Sequence, residues 1–168
     1  LVVDRLHVHG VAVAVQRGVF VYDRQHALIL IVAVGPDGHV YGNSRSGNVY
    51  RVNTDTLEIE DIATLPLDEN DPWAPAYRQI HFNLNGPDGY MYLAVYWHSQ
   101  LVRLDPKTGE VALLGNFAPD TDVFRQTPRL RINAMCFDDQ GILWYINSYA
   151  TGNRLCKWDV LHGGKPQY

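Results

Sequence analysis

Cysteine is scarce. Cys136 and Cys156 are the only two in 168 residues, too few for the disulfide framework that staples small secreted domains. Each falls in a strand-like stretch, where a buried free thiol and a bridge between neighbouring strands are both open. Positive charge is thin as well. Fourteen Lys and Arg stand against 18 Asp and Glu, the net charge is −4, and no run of Lys or Arg exceeds two. A nucleic-acid partner calls for a basic stripe, so none is expected. No apolar run approaches the ~18 residues of a membrane helix. The longest, Ala27 to Val34, is strand-sized, and no membrane partner is expected. The motifs of common nucleophilic and nucleotide chemistry (GxSxG, the P-loop, HExxH, CxxC) are missing. The chain opens "LVVDRLHVHG", with neither Met nor a signal-peptide pattern, which reads as a removed leader or a piece of something larger. Secreted, periplasmic and cytoplasmic locations all stay open.

What is present is material for a core, with 46% hydrophobic residues and only 19% charged, within the compass of one ordinary domain. It is arranged in a repeat. The segments "VGPDGHVYGNSRSGNVYRVNTDTLEIEDIATL", "NGPDGYMYLAVYWHSQLVRLDPKTGEVALLG" and "FDDQGILWYINSYATGNRLCKWDVLHGGKPQ" align on turn glycines Gly38, Gly89 and Gly141, 51 and 52 residues apart. An aromatic-containing strand follows each turn, then a polar turn, then a strand ending in Asn or Asp. In the first two units another polar turn leads to a further strand. Pro-Asp-Gly makes a tight turn because Pro presets φ and Gly permits φ > 0. Alternation such as Val49, Arg51, Asn53 against Tyr50, Val52 marks strands with two distinct faces. No sustained helical period is present, so the class is all-β.

Four short strands recurring about every 50 residues indicate β-propeller blades rather than a sandwich. The N-terminal "HGVAVAVQRGVFVYDRQHALILIV" has the same cadence and reads as a fourth, shortened unit. The blade-like units run about 1–33, 34–84, 85–136 and 137–168, three and a half to four blades in a single propeller domain. Rings close with about four to eight blades. The chain is therefore a minimal ring, part of a larger one, or a protomer that completes a ring with further copies.

The phrases "GPDGYMYLAVYWHSQLVRLDPKTGEVALLG" and "INAMCFDDQGILWYINSYATGNRLCKWD" resemble blades of the six- and seven-bladed propeller superfamily. That group holds the SMP-30/gluconolactonase family, the streptogramin (virginiamycin B) lyases and the propeller polysaccharide lyases. The resemblance spans residues 34 to 160. Likeness to the lactonases implies a divalent cation, Ca or Zn, at Asn133 and Asn147, with Asn147 standing where that family generally shows Asp. Likeness to the lyases rests on the cadence of residues 89 to 109 and implies His, Tyr and Arg around a channel mouth, with a glycan or other small molecule as substrate.

β-Elimination from a uronate needs a cation to neutralise the carboxylate and acidify the C5 proton, a base to remove it, and an acid for the leaving oxygen. "YRQIHF" supplies Tyr77, Arg78 and His81; "YWHS" supplies Tyr96 and His98. These five are the catalytic candidates, although His81 equally suits the interior of a strand and His98 an ordinary turn. Trp97 and Tyr149 are candidates for stacking on a sugar, and Arg131 for holding its charge. Aligning Phe82 with Phe137 sets Arg78 opposite Asn133, so that Arg78, His81, Arg131 and Asn133 converge on one rim. The "HVHG" pair His7 and His9 is two ligands and no site. The acidic "DENDPW" fits no calcium-loop spacing and reads as a solvated connection.

Overall fold

The computed structural model describes residues 6–8, 11–13, 30–44, 46–66, 78–95, 99–117, 131–149 and 152–168. All regular structure among them is β-strand. A hairpin of β1 (Leu6–Val8) and β2 (Val11–Val13) comes first. Three antiparallel sheets follow. The first is β3 (Leu30–Val34), β4 (Val40–Asn43), β5 (Asn48–Val52) and β6 (Ile59–Thr64); the second is β7 (Ile80–Asn85), β8 (Met91–Val95), β9 (Gln100–Leu104) and β10 (Val111–Asn116). The third is β11 (Arg131–Phe137), β12 (Leu143–Tyr149) and β13 (Gly152–Trp158). Gln167 bridges to Lys157 on the free edge of β13, where a fourth strand would lie.

Each sheet is a meander, and each takes in the strand ahead of its turn glycine, so the sheets are offset from units counted from the turns. The leading strands β3, β7 and β11 lie side by side, with β7 in contact with both others. They form the inner edge from which three sheets fan out, which is the geometry of propeller blades.

The repeated turns are local physics. Gly35 N–H donates to the His39 carbonyl at 2.8 Å, Gly86 to Tyr90 at 2.8 Å and Asp138 to Ile142 at 3.0 Å. Each encloses a left-handed glycine, with φ of 83° at Gly38, 83° at Gly89 and 76° at Gly141, as a three-residue hairpin loop requires. In the first two turns a tyrosine ring lies over the leading glycine: a Cβ on Gly86 would sit 2.4 Å from the Tyr92 ring. The Tyr41 and Tyr92 hydroxyls then donate to Asp37 (2.6 Å) and Asp88 (2.8 Å). The third turn solves the same problem with other residues. Asp138 replaces the glycine and accepts the Trp144 indole N–H at 2.7 Å.

Strands that end in Asn or Asp do so because the side chain caps the next turn. Asn53 Oδ1 accepts the Asp55 and Thr56 N–H groups, and Asp105 Oδ1 accepts that of Lys107, the local bonding that favours these residues in turns.

Two cores lie between the sheets. Tyr41 and Val49 of the first sheet pack on Ile80, Met91, Leu93, Val95, Val102 and Leu104 of the second. Tyr92, Ala94 and Leu101 of the second pack on Ile132, Leu143, Tyr145, Cys156 and Trp158 of the third, around Phe117. Cys156 is buried and Cys136 exposed, both as free thiols, so the inter-strand bridge left open by the sequence is not formed. Burial pushes the Cys156 thiol above its ordinary pKa.

Candidate functional site

The strand order puts the starts of β3, β7 and β11 at the same end as the turns after β4, β8 and β12. Most of the polar candidates gather at this end. Asn43, fully buried at the end of β4, donates through Nδ2 to the carbonyls of Ser44 (2.9 Å) and Arg78 (2.9 Å). Its Oδ1 accepts the Ile80 N–H at 3.3 Å. One amide thus clamps the first sheet to the base of β7, the strand that carries His81.

His81 sits at a β-bulge. The pairing of β7 with β8 shifts between Ile80 and Phe82, leaving His81 as the extra residue. Such bulges re-aim a side chain out of the pleat. The imidazole Nδ1 bonds the Ile132 carbonyl of β11 at 2.9 Å, and its ring meets Phe82 edge to face at 4.9 Å. Strand β11 repeats the device: its register shifts between Ile132 and Ala134, so that Asn133 is the bulged residue. His81 and Asn133 therefore hold equivalent places on neighbouring inner strands. Asn133 Nδ2 donates to Ser148 Oγ at 2.6 Å, and Ser148 in turn bonds Asn153.

Arg78 is half-buried beside the turn that follows β4. Its stem lies on Gly47, where a Cβ would come within 2.7 Å of Arg78 Cδ; glycine is what lets the cation rest there. Among the described residues its guanidinium has no hydrogen-bond or ion-pair partner.

The expected equivalence of Arg78 with Asn133 is corrected by these bulges. Register is set by the turn bonds at Gly86 and Asp138, which put Asn85 level with Phe137 and His81 level with Asn133. Matching the two phenylalanines misplaced the frame by three residues. Asn133 and Asn147 are neighbours across the β11–β12 ladder, but Asn147 is fully buried on the Tyr145 face while Asn133 is exposed. No group of three or more His, Cys, Asp or Glu side chains among the described residues is placed to hold a metal ion.

Tyr77, Tyr96, Trp97 and His98 lie outside the described residues, as do "DENDPW" and His9. Arg131 and Tyr149 are described as backbone at the start of β11 and the end of β12, at the same end of the fold as His81. The residues the sequence reading missed are Asn43, Ser148 and Asn153. A signal existed in the recurrence of "NSRSGN" and "NSYATGN" at residues 43–48 and 147–153.

Two four-stranded sheets and a three-stranded one, fanning out from adjacent inner strands with polar groups at the strand starts, give this chain the fold of a partial β-propeller. No protein-family model matches the chain, and no curated protein matches it in sequence. Solved structures do. One is a catalytically inactive His-to-Ala variant of virginiamycin B lyase from Staphylococcus aureus with quinupristin, at TM-score 0.58 and 10% identity over 89% of this chain and 47% of that one. A gluconolactonase-type structure matches at TM-score 0.55 and 14% identity, over 90% of this chain and 58% of the other. The extracellular domain of a hybrid two-component system from B. thetaiotaomicron matches at 0.57 and 16%, over 92% of this chain and 18% of that chain. The chain thus spans less than two thirds of the length of each.

Proposed function

We propose that the end of the propeller carrying Arg78 and His81 binds an anionic carbohydrate, and that the chemistry there is β-elimination from a uronate-containing glycan. The observation that carries this reading is the bulge: it turns His81 out of the pleat on an inner strand, beside Asn133 in the same posture on the next. Arg78 lies three residues upstream on a glycine-backed shelf and supplies the cation a uronate carboxylate needs. The imidazole takes the C5 proton, the electron pair left behind forms the C4–C5 double bond, and the C4–O bond breaks. The departing oxygen receives a proton from a second acid, for which Tyr77, Tyr96 and His98 are the candidates. Support also comes from the virginiamycin B lyase neighbour, inactive when one histidine is changed to alanine.

The extracellular domain of a two-component system on the same fold favours a second reading, a ring that binds a ligand and does not turn it over. One experiment separates the two. The protein is incubated with a panel of uronic-acid polymers, unsaturated uronate is followed by ultraviolet absorbance, and binding is measured by calorimetry. The lyase reading expects turnover that falls by ~100-fold or more in His81→Ala, with a raised KM in Arg78→Ala. Turnover unchanged in His81→Ala, or none with any polymer, sinks it. Binding without turnover, lost in Arg78→Ala, supports the second reading.

A further inference from the structure

Beside the Gly38 turn, at the opposite end of the first sheet from the turn that Arg78 rests on, is a cavity of about 440 Å³ lined by His39, Arg51, Asn53, Glu58, Ile59 and Glu60. That is within the ~300–1,000 Å³ of small-molecule sites. The second sheet shows how the cavity arises. Tyr41, Arg51 and Glu60 form a cross-strand row in the first sheet, and Tyr92, Arg103 and Ala112 the same row in the second. His39 and Tyr90 follow their turn glycines with the same backbone bond, each N–H donating to the turn aspartate, Asp37 at 3.2 Å and Asp88 at 3.3 Å. Their rings then part. Tyr90 lies against Arg103, whose guanidinium carbon stands 4.5 Å from the ring centroid. The His39 imidazole is turned to Asp37 instead, Nδ1 to Oδ2 at 3.1 Å. The strand arginine that carries an aromatic ring in the second sheet borders a cavity in the first.

Arg51 is fixed in a way that suits a ring. Its Nη2 donates to Glu60 at 2.7 Å and its Nη1 to the Pro106 carbonyl at 3.0 Å. These bonds set the guanidinium plane and occupy part of its edge, leaving the face for stacking. Ile59 adds an apolar wall, and Asn53 Oδ1 is already engaged by the Asp55 and Thr56 amides. The remaining groups are the exposed carboxylates of Glu58 and Glu60. Ala112 stands in the place of Glu60 in the second sheet, so that second carboxylate is particular to the first. Two carboxylates against one guanidinium favour a cation, and an ammonium matches their oxygens as a donor.

We infer that this cavity binds a small aromatic amine, with its ring stacked on Arg51 as Tyr90 is on Arg103 and its ammonium at Glu58 and Glu60. The site is distinct from the end carrying Arg78 and His81 and does not depend on the chemistry there.

The test uses tyramine as the probe, with p-cresol as the ring-only control and n-hexylamine as the ammonium-only control, by calorimetry and ligand-observed saturation-transfer NMR. Tyramine binds with a Kd of roughly 1 mM or tighter, and each control binds at least ~5-fold more weakly. His39→Tyr fills the cavity as Tyr90 fills its counterpart, and tyramine binding is lost. Glu58→Gln weakens it by roughly 10-fold, the share of one hydrogen bond to a charged group. Far-UV circular dichroism and a retained thermal transition confirm that both variants are folded. No tyramine binding up to ~10 mM, equal binding of either control, or an affinity unchanged in either variant overturns the inference.

Discussion

Replacing Asn43 by alanine removes three hydrogen bonds at once from a fully buried position: two donated to the Ser44 and Arg78 carbonyls and one accepted from the Ile80 amide. A net ~1 kcal/mol for each, with the partners left behind in a site closed to water, gives a loss of about 3 kcal/mol. For a chain of this size that is a fall in Tm of roughly 6–12 °C. The assay is thermal and urea unfolding followed by circular dichroism, beside Asn48→Ala as the control. Asn48 Nδ2 bonds Asp61 at 2.8 Å at an exposed site, so its loss stays within ~0.5 kcal/mol.

Asn43→Asp sharpens the argument, because it keeps the shape and the acceptor while removing both donors. A carboxylate there faces two carbonyls in a buried site, which raises its folded pKa above the unfolded value of ~4. The protonated acid still donates one bond and the anion donates none. Relative to wild type at the same pH, Asn43→Asp is therefore closest to native below about pH 4 and falls behind as pH rises. A Tm drop under ~2 °C in Asn43→Ala, or an Asn43→Asp deficit that does not grow with pH, refutes the clamp. Because the clamp sets the base of β7, the alanine variant also lowers any activity that depends on His81.

Two further outcomes follow from the turns. Burial first, then the neighbouring Asp37 and Asp88 carboxylates, push the Tyr41 and Tyr92 phenols well above their ordinary range. A raised folded pKa means that the stabilisation is complete below an unfolded value of ~10 and is lost as pH rises beyond it. Urea midpoints should fall across that range in wild type and fall less in Tyr41→Phe and Tyr92→Phe; equal slopes in all three would count against the hydroxyl–carboxylate pairs. Gly86→Ala forces a Cβ to within 2.4 Å of the Tyr92 ring and should cost ~1–3 kcal/mol by overpacking. A neutral result in urea unfolding would mean that the ring does not lie over the turn.

Much of the fold was legible because its signals are local. Gly38, Gly89 and Gly141 announce their turns through a backbone conformation that other residues avoid. Asn53 and Asp105 announce strand ends because their side chains accept from amides two or three residues further on. The candidate site was legible only as residue types. That His81 and Asn133 are equivalent depends on two bulges, and a bulge is an agreement between strands that neither strand's sequence carries alone. The recurring Asn-Ser pair shows the limit well. Asn43 stands five residues after its turn glycine and Asn147 six after its own, and one residue of slip turns a side chain to the other face of a sheet. The first therefore reaches forward to the next sheet, while the second shares the face of Tyr145, turned back toward the sheet before it.

By itself the amino-acid order determined an all-β chain, where its hairpins turn, and that its units are blades, since each of these is decided within a few residues by φ preference and by alternation. Tertiary structure decided which of two chemically identical leucines at equivalent places, Leu101 and Leu155, is sealed and which is open. Burial belongs to the pair of surfaces that meet, and the surface that covers a side chain is written elsewhere in the chain or in another molecule.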